Sequence, residues 1–182
     1  MVNIVTLAEG SKYMLDVGFG ADGPTRPLPL LERTRFPGIA PQELRLVKEN
    51  IPANTDPSQR LWVYQTRHTP SDSWSPKYCF SEVEFLPQDY AMMNFYTSQC
   101  KFCWFTYKIA VVKMIREGDK IIGTVILNGD VVKRRIRGET EELKHCVTER
   151  QRVEALERWF GIALTAEERR GIKGMVTDLG DG

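Results

Sequence analysis

The 182-residue sequence offers few side chains able to carry covalent or proton-transfer chemistry: four cysteines (Cys79, Cys100, Cys103, Cys146) and two histidines (His68, His145). Imidazole chemistry must come from these two histidines or from outside the chain. One carboxylate stands out by its setting. Asp16 closes the apolar run "YMLD" and opens "DVGFG", where Gly18 and Gly20 flank Phe19. A strand-end carboxylate there can simply cap the turn that follows. The other reading is a buried carboxylate that orients a histidine, fixing its tautomer and stabilising the imidazolium. Gly18 and Gly20 would then let a ligand approach the backbone, with Phe19 offering an apolar face. "GFG" does not fit the dinucleotide fingerprint, because no helix pattern follows it.

The pair "CKFC", Cys100 to Cys103, invites a metal or redox reading. Zinc needs about four ligands, and the next pair, His145-Cys146, is distant and oddly spaced. A thioredoxin-like motif belongs near a βαβ unit, whereas an apolar strand follows here. Free, partly buried cysteines are the stronger reading, and no metal site is expected. His68 lies in the polar loop "QTRHTPSDSW" and is expected to be exposed. Neighbours on an extended chain point to opposite faces, which works against a Cys146–His145 dyad.

These residues must be placed by the elements around them. "NIVTL", "AEGS" and "KYMLDV" read as strand, turn and return strand, which puts Asp16 at a strand end. Five prolines between residues 24 and 41 make the next segment extended but unfit for a central strand. "ELRLVKEN", "RLWVYQTR" and "KYCFSEVEFLP" alternate as short strands, with Leu44 and Leu46 on one face. Trp62, Tyr64, Trp74, Tyr78 and Phe80 read as core. "QDYAMMNFYTSQ" is a short helix. The stretch from Phe105 to Glu139 reads as a three-stranded meander, with Asn128-Gly129 as a tight turn. "TERQRVEALERWFG" is a helix, capped by Thr148 with Gln151 at box spacing and stopped by Gly161. Thr165 and Glu168 repeat the capping signal, and the tail "KGMVTDLGDG" reads as frayed.

Hydrophobic residues at 42% and charged residues at 27% describe an ordinary globular chain. A formal net charge of +1 supplies no basic field for nucleic acid. No apolar run approaches the roughly 20 residues of a membrane span, and "MVNIVTLAEG" lacks the features of a signal peptide. Four cysteines without a secretory signal suggest a reduced, cytoplasmic setting.

Taken together, "VNIVTL…KYMLDVGFG…GPTRPLPL", "RLWVYQ", "WSPKYCF", "DYAMMNFYTS", "RRIRGE" and "LERWFGIAL" resemble the arylamine N-acetyltransferase family over nearly the whole chain. The resemblance implies an α+β fold, an antiparallel β-barrel followed by an α/β lid of a three-stranded antiparallel sheet plus helix. It implies a barrel over residues 1–90, a helical connector over 91–104 and the lid over 105–182. In the family, a cysteine thiolate paired with histidine and oriented by aspartate takes an acyl group from acetyl-CoA. It then passes that group to an arylamine, arylhydroxylamine or hydrazine nitrogen. By this resemblance Asp16 is the triad aspartate, and Gly18, Phe19 and Gly20 line the acyl and acceptor pocket. Acetyl-CoA is then a co-substrate, with no permanently bound cofactor.

The chain departs from the family in one respect. The family cysteine sits in an "RGGxCxE"-type motif of an N-terminal helical bundle, and no such motif is present. The family histidine precedes the strand matched by "VNIVTL", where this chain has Met1 at or next to the position. The four cysteines and two histidines match neither role. The expectation is a fragment holding barrel and lid, from an incomplete gene model, a split gene or a degenerate copy. It should transfer no acetyl group alone, since loss of a triad nucleophile costs several orders of magnitude. The alternative is a non-catalytic CoA- or partner-binding remnant. Barrel surface left exposed should favour self-association.

Overall fold

The computed structural model of the protein describes residues 1–181. The fold class is the expected one: α+β, with antiparallel sheets and three α-helices. The chain falls into two compact units, residues 1–83 with 116–122, and residues 84–115 with 123–182.

In the first unit, β1 (Asn3–Thr6) and β2 (Lys12–Leu15) form the expected hairpin, and β2 also pairs with β3 (Leu28–Pro29). The proline-rich run supplies only β3 and the edge strand β4 (Arg35–Pro37), as missing amide donors require. A second sheet runs β4, β5 (Glu43–Glu49), β6 (Leu61–Arg67), β7 (Ser75–Phe80). The seventh strand therefore starts at Ser75 and ends at Phe80, before the "SEVEFLP" stretch expected to continue it. Met14, Leu28, Leu44, Leu46, Trp62 and Tyr64 form the core, with Tyr78 and Phe80 packed against it. Trp74 is not part of that core. The guanidinium groups of Arg45 and Arg67 both lie over its ring, with centroid distances of 4.2 and 4.7 Å. Its neighbours on this face are charged, so the indole is used as a cation-binding plate.

The second unit opens with α1 (Pro87–Gln99), whose Asp89 carboxylate accepts from the Leu86 amide at 2.8 Å. None of its residues is buried. Its sheet has the order β11-β10-β9-β8, with β8 (Ala110–Glu117), β9 (Lys120–Asn128), β10 (Val131–Ile136) and β11 (Glu139–His145). The expected three-stranded meander thus has a fourth strand. "ETEELKH" is polar because only Leu143 of that edge strand packs on the core, so no apolar alternation announced it. Gly123 on β9 faces Ile136 in register, and a Cβ there would lie 2.1 Å from the Arg135 carbonyl oxygen.

The helix α2 (Glu149–Ala155) starts at Thr148, whose hydroxyl accepts from the Gln151 amide at 3.3 Å. It continues through Leu156–Phe160 in wider π-type turns and stops at Gly161, φ 74°. The amide of Ile162 donates back to the Leu156 carbonyl, closing the helix end. Thr165 and Glu168 make the expected reciprocal cap of α3 (Ala166–Arg170). The tail is not frayed. Arg152, 1% exposed, pairs with Glu149 and donates to the carbonyls of Thr177 and Gly129 at 2.7 and 3.4 Å. The Glu149 amide donates to Gly180, and Leu179 packs on the core.

Candidate active site around Asp16

Asp16 is the first residue past β2 and is half-buried. Its Oδ1 accepts from the Gly18 amide at 2.9 Å, which folds the chain back at once. Val17 is 99% exposed, so the side chain before the glycine points away from the unit altogether. Gly20 has φ 94°, in the region that favours glycine, and its carbonyl accepts from the Gly23 amide at 3.0 Å. A Cβ on Gly23 would lie 3.1 Å from the Gly20 oxygen, so this second turn is also tight.

The loop is anchored by residues not assigned to the site from the sequence. Asp22 gives its carbonyl to the Tyr64 hydroxyl at 3.0 Å and its carboxylate to Lys77 at 2.8 Å. Phe19 leans on Tyr78, with ring centroids 4.8 Å apart, and Tyr78 lies 5.1 Å from Tyr64. Tyr64 and Tyr78 face each other across β6 and β7. The Tyr78 hydroxyl donates to the Met14 sulfur at 3.7 Å, and the Asp16 carboxylate is close enough to act on its titration. Burial first, then the nearby Asp16 carboxylate, push the Tyr78 phenol well above its ordinary value. Burial, then the carboxylates of Asp22 and Asp16, raise Tyr64 in the same direction. Both phenols therefore remain hydrogen-bond donors at neutral pH. The alternation of "RLWVYQTR" hinted at Tyr64. Nothing local links Lys77 to Asp22, which lies 55 residues earlier.

The arrangement brings Asp16, Gly18, Phe19 and Gly20 into one short loop, with a carboxylate held by an amide and with a phenol and an aromatic ring nearby. A carboxylate fixed this way can accept from an imidazole N–H and hold the ring in one orientation. His145 is exposed and pairs with Asp130 at 3.0 Å through Nε2, while Cys146 is buried in the second core. The two point opposite ways, as expected. His68 is exposed. All four cysteines are free thiols. Among the described residues no group of three or more His, Cys, Asp or Glu could hold a metal ion. A surface cavity of about 340 Å³ opens in the second unit between Ile126, Asn128, Val131, Lys133, Arg135 and Thr140. None of the four loop residues lines it.

A family profile described as N-acetyltransferase matches residues 1–169, and the chain belongs to this family. Among curated relatives, N-malonyltransferase FDB2 of Gibberella moniliformis is 38% identical over 169 residues, 88% of this chain and 49% of the relative. FDB2 of Fusarium pseudograminearum (strain CS3096) is 36% identical over 182 residues, 94% of this chain and 53% of the relative. The chain thus spans about half the length of these relatives. Among solved structures, the arylamine N-acetyltransferase of Salmonella typhimurium superposes with a TM-score of 0.75 at 21% identity. That match covers 94% of this chain and 59% of the other. The Mycobacterium marinum arylamine N-acetyltransferase in complex with CoA gives 0.70 at 23%, covering 88% and 53%. The family resemblance read from "DVGFG" and its companions stands, and these structures share the fold.

Proposed function

We propose that this chain carries the aspartate and one pocket wall of an acyltransferase of the arylamine N-acetyltransferase type. The supporting observation is the Asp16 carboxylate, held by the Gly18 amide at 2.9 Å where β2 ends, with the Tyr78 phenol nearby. Asp16 orients the histidine of a Cys-His-Asp triad, and Gly18, Phe19 and Gly20 line the acyl and acceptor pocket. The reaction is acyl transfer from a CoA thioester to an arylamine, arylhydroxylamine or hydrazine nitrogen. The acyl enzyme forms on cysteine and is discharged by the amine in a second step. Acetyl-CoA is the donor the fold neighbours' names suggest, and the FDB2 relatives add malonyl-CoA as a second donor to try. The domain plan is a barrel over 1–90, a connector over 91–104 and a lid over 105–182, in a cytoplasmic protein. No described helix is long and apolar enough to cross a membrane.

None of the cysteines and histidines of these 182 residues fills the nucleophile or base position of the family pattern. The chain alone therefore performs no acyl transfer. The test is purified chain with acetyl-CoA or malonyl-CoA and an arylamine. No turnover is expected, and turnover abolished by Asp16→Asn would overturn the claim of inactivity. A second reading, a non-catalytic CoA-binding protein, draws on the CoA complex of a fold neighbour. Calorimetry with CoA separates the two, because heat without turnover selects binding. Self-association through exposed barrel surface belongs to this reading, and Val5, Leu7, Leu31 and Val83 are each at least 40% exposed. A concentration-independent monomer in sedimentation would count against that.

A further inference from the structure

The four cysteines differ sharply in setting, and the "CKFC" pair has one that the sequence did not reveal. Cys100 directly follows α1, and its amide still donates to the Tyr96 carbonyl at 2.9 Å. Its own carbonyl accepts from the Cys103 amide at 2.8 Å, closing a four-residue turn. The turn is then pinned from beyond. The Thr106 amide donates to the Cys103 carbonyl at 2.9 Å, and the Thr106 hydroxyl lies 3.0 and 2.8 Å from the carbonyls of Cys100 and Cys103. A turn of this kind holds its end Cα atoms within about 7 Å. A disulfide spans Cα separations of about 4.4–6.8 Å. Both thiols are half-buried, so a small reagent can reach them.

We propose that Cys100 and Cys103 form a redox-active dithiol that closes reversibly to a disulfide, with a low-molecular-weight disulfide such as oxidised glutathione as the oxidant. The Cys100 thiolate, its proton lost to water, attacks one sulfur of the reagent. One glutathione thiolate leaves, and a mixed disulfide forms on Cys100. The Cys103 thiolate then attacks the Cys100 sulfur and displaces the second glutathione. Two protein thiols lose two electrons and two protons, and one small disulfide becomes two thiols.

Cys100 is the attacking member. The amide of Phe102 first, then the Tyr96 hydroxyl and the Cys103 amide, lower its thiol against the opposing effect of burial. These donors also counter the C-terminal dipole of α1, which disfavours a thiolate at that end. The remaining cysteines are internal controls. Cys146 is 1% exposed, and burial pushes its thiol up. Cys79 is exposed on β7, opposite Val63, with no second cysteine at turn spacing.

The test is made in a Cys79→Ser background, which removes the exposed thiol best placed to join two copies. The chain is treated with oxidised glutathione, quenched by alkylation and mapped by peptide mass. The expected product is a Cys100–Cys103 link within one chain, reversed by dithiothreitol. Cys103→Ser should stop at glutathione on Cys100, and Cys100→Ser should lose the link completely and react more slowly. Circular dichroism checks that both serine variants keep the fold, and the map of the parent chain decides the matter alone if one does not. The proposal is overturned if no Cys100–Cys103 link forms while reagent is consumed. It is equally overturned if Cys100→Ser reacts as fast as the parent, or if nothing reacts short of unfolding.

Discussion

Two polar clusters, one in each unit, show a carboxylate held in two different ways. In the second unit Arg152 and Glu149 are closed on themselves. The guanidinium has a carboxylate and two carbonyls, and the carboxylate also takes the Leu179 amide at 3.5 Å. Every partner is protein, and the cluster ties the β9–β10 turn and the chain's tail to α2. In the first unit Asp16 is only half-buried and sits between an amide and a phenol at the start of an exposed loop. A closed ion pair is built to hold a fold. A carboxylate held on one side and half-exposed has room for a further partner, which is the role proposed for Asp16. Tests of that contrast follow, from the largest expected effect to the smallest.

Arg152→Ala leaves the half-buried Glu149 without its partner and frees the carbonyls of Gly129 and Thr177. Breaking such a pair costs about 3–5 kcal/mol, read as a drop in the urea midpoint. Gly123→Ala should cost roughly 1–3 kcal/mol, because the new Cβ meets the Arg135 backbone rather than a side chain that can turn away. A normal melting temperature for either variant would break the structural half of the comparison.

The pH dependence sharpens the other half. Tyr64 and Tyr78 have raised values in the folded chain, so the unfolded chain releases these protons first. Their contribution is fully present below the ordinary tyrosine value of 10.0 and is lost progressively as pH rises above it. An alkaline melt in which Tyr78→Phe abolishes part of that slope is the expected outcome. Glu82 has the opposite sign. The ammonium of Lys48, the Trp62 indole N–H and Lys12 lower it from 4.5 to about 2. Its contribution is present above 4.5 and is lost as pH falls through about 2. Glu82→Gln should flatten the acid limb, by a small amount because the group is exposed.

Much of this was legible in the sequence where local chemistry decides the outcome. The β1–β2 hairpin, the α2 and α3 caps, and the left-handed stop at Gly161 follow from turn and capping residues. The family, the fold class and the Asp16 loop were legible through "DVGFG" and its companions. What was not legible depends on partners far along the chain. β11 is an edge strand with little apolar alternation. Trp74 looked like core until its two arginines, from β5 and β6, were in place. The tail looked frayed because its anchor is a buried arginine 25 residues earlier. Around Asp16 the sequence named the loop but not its clamps, since Tyr64 and Lys77, which hold Asp22, lie 42 and 55 residues further along.

The most direct measurement of the central claim, that Asp16 is placed for chemistry and not for stability, is Asp16→Asn beside Arg152→Ala. An asparagine oxygen can still accept from the Gly18 amide, so stability should stay within about 1 kcal/mol of the parent. The Tyr78 phenol, relieved of a neighbouring charge, should titrate lower in an alkaline absorbance scan corrected with Tyr78→Phe. That pairing, a shifted phenol with an unchanged melt, is the predicted result. An Asp16→Asn melt as depressed as that of Arg152→Ala, with Tyr78 titrating where it did before, would contradict it.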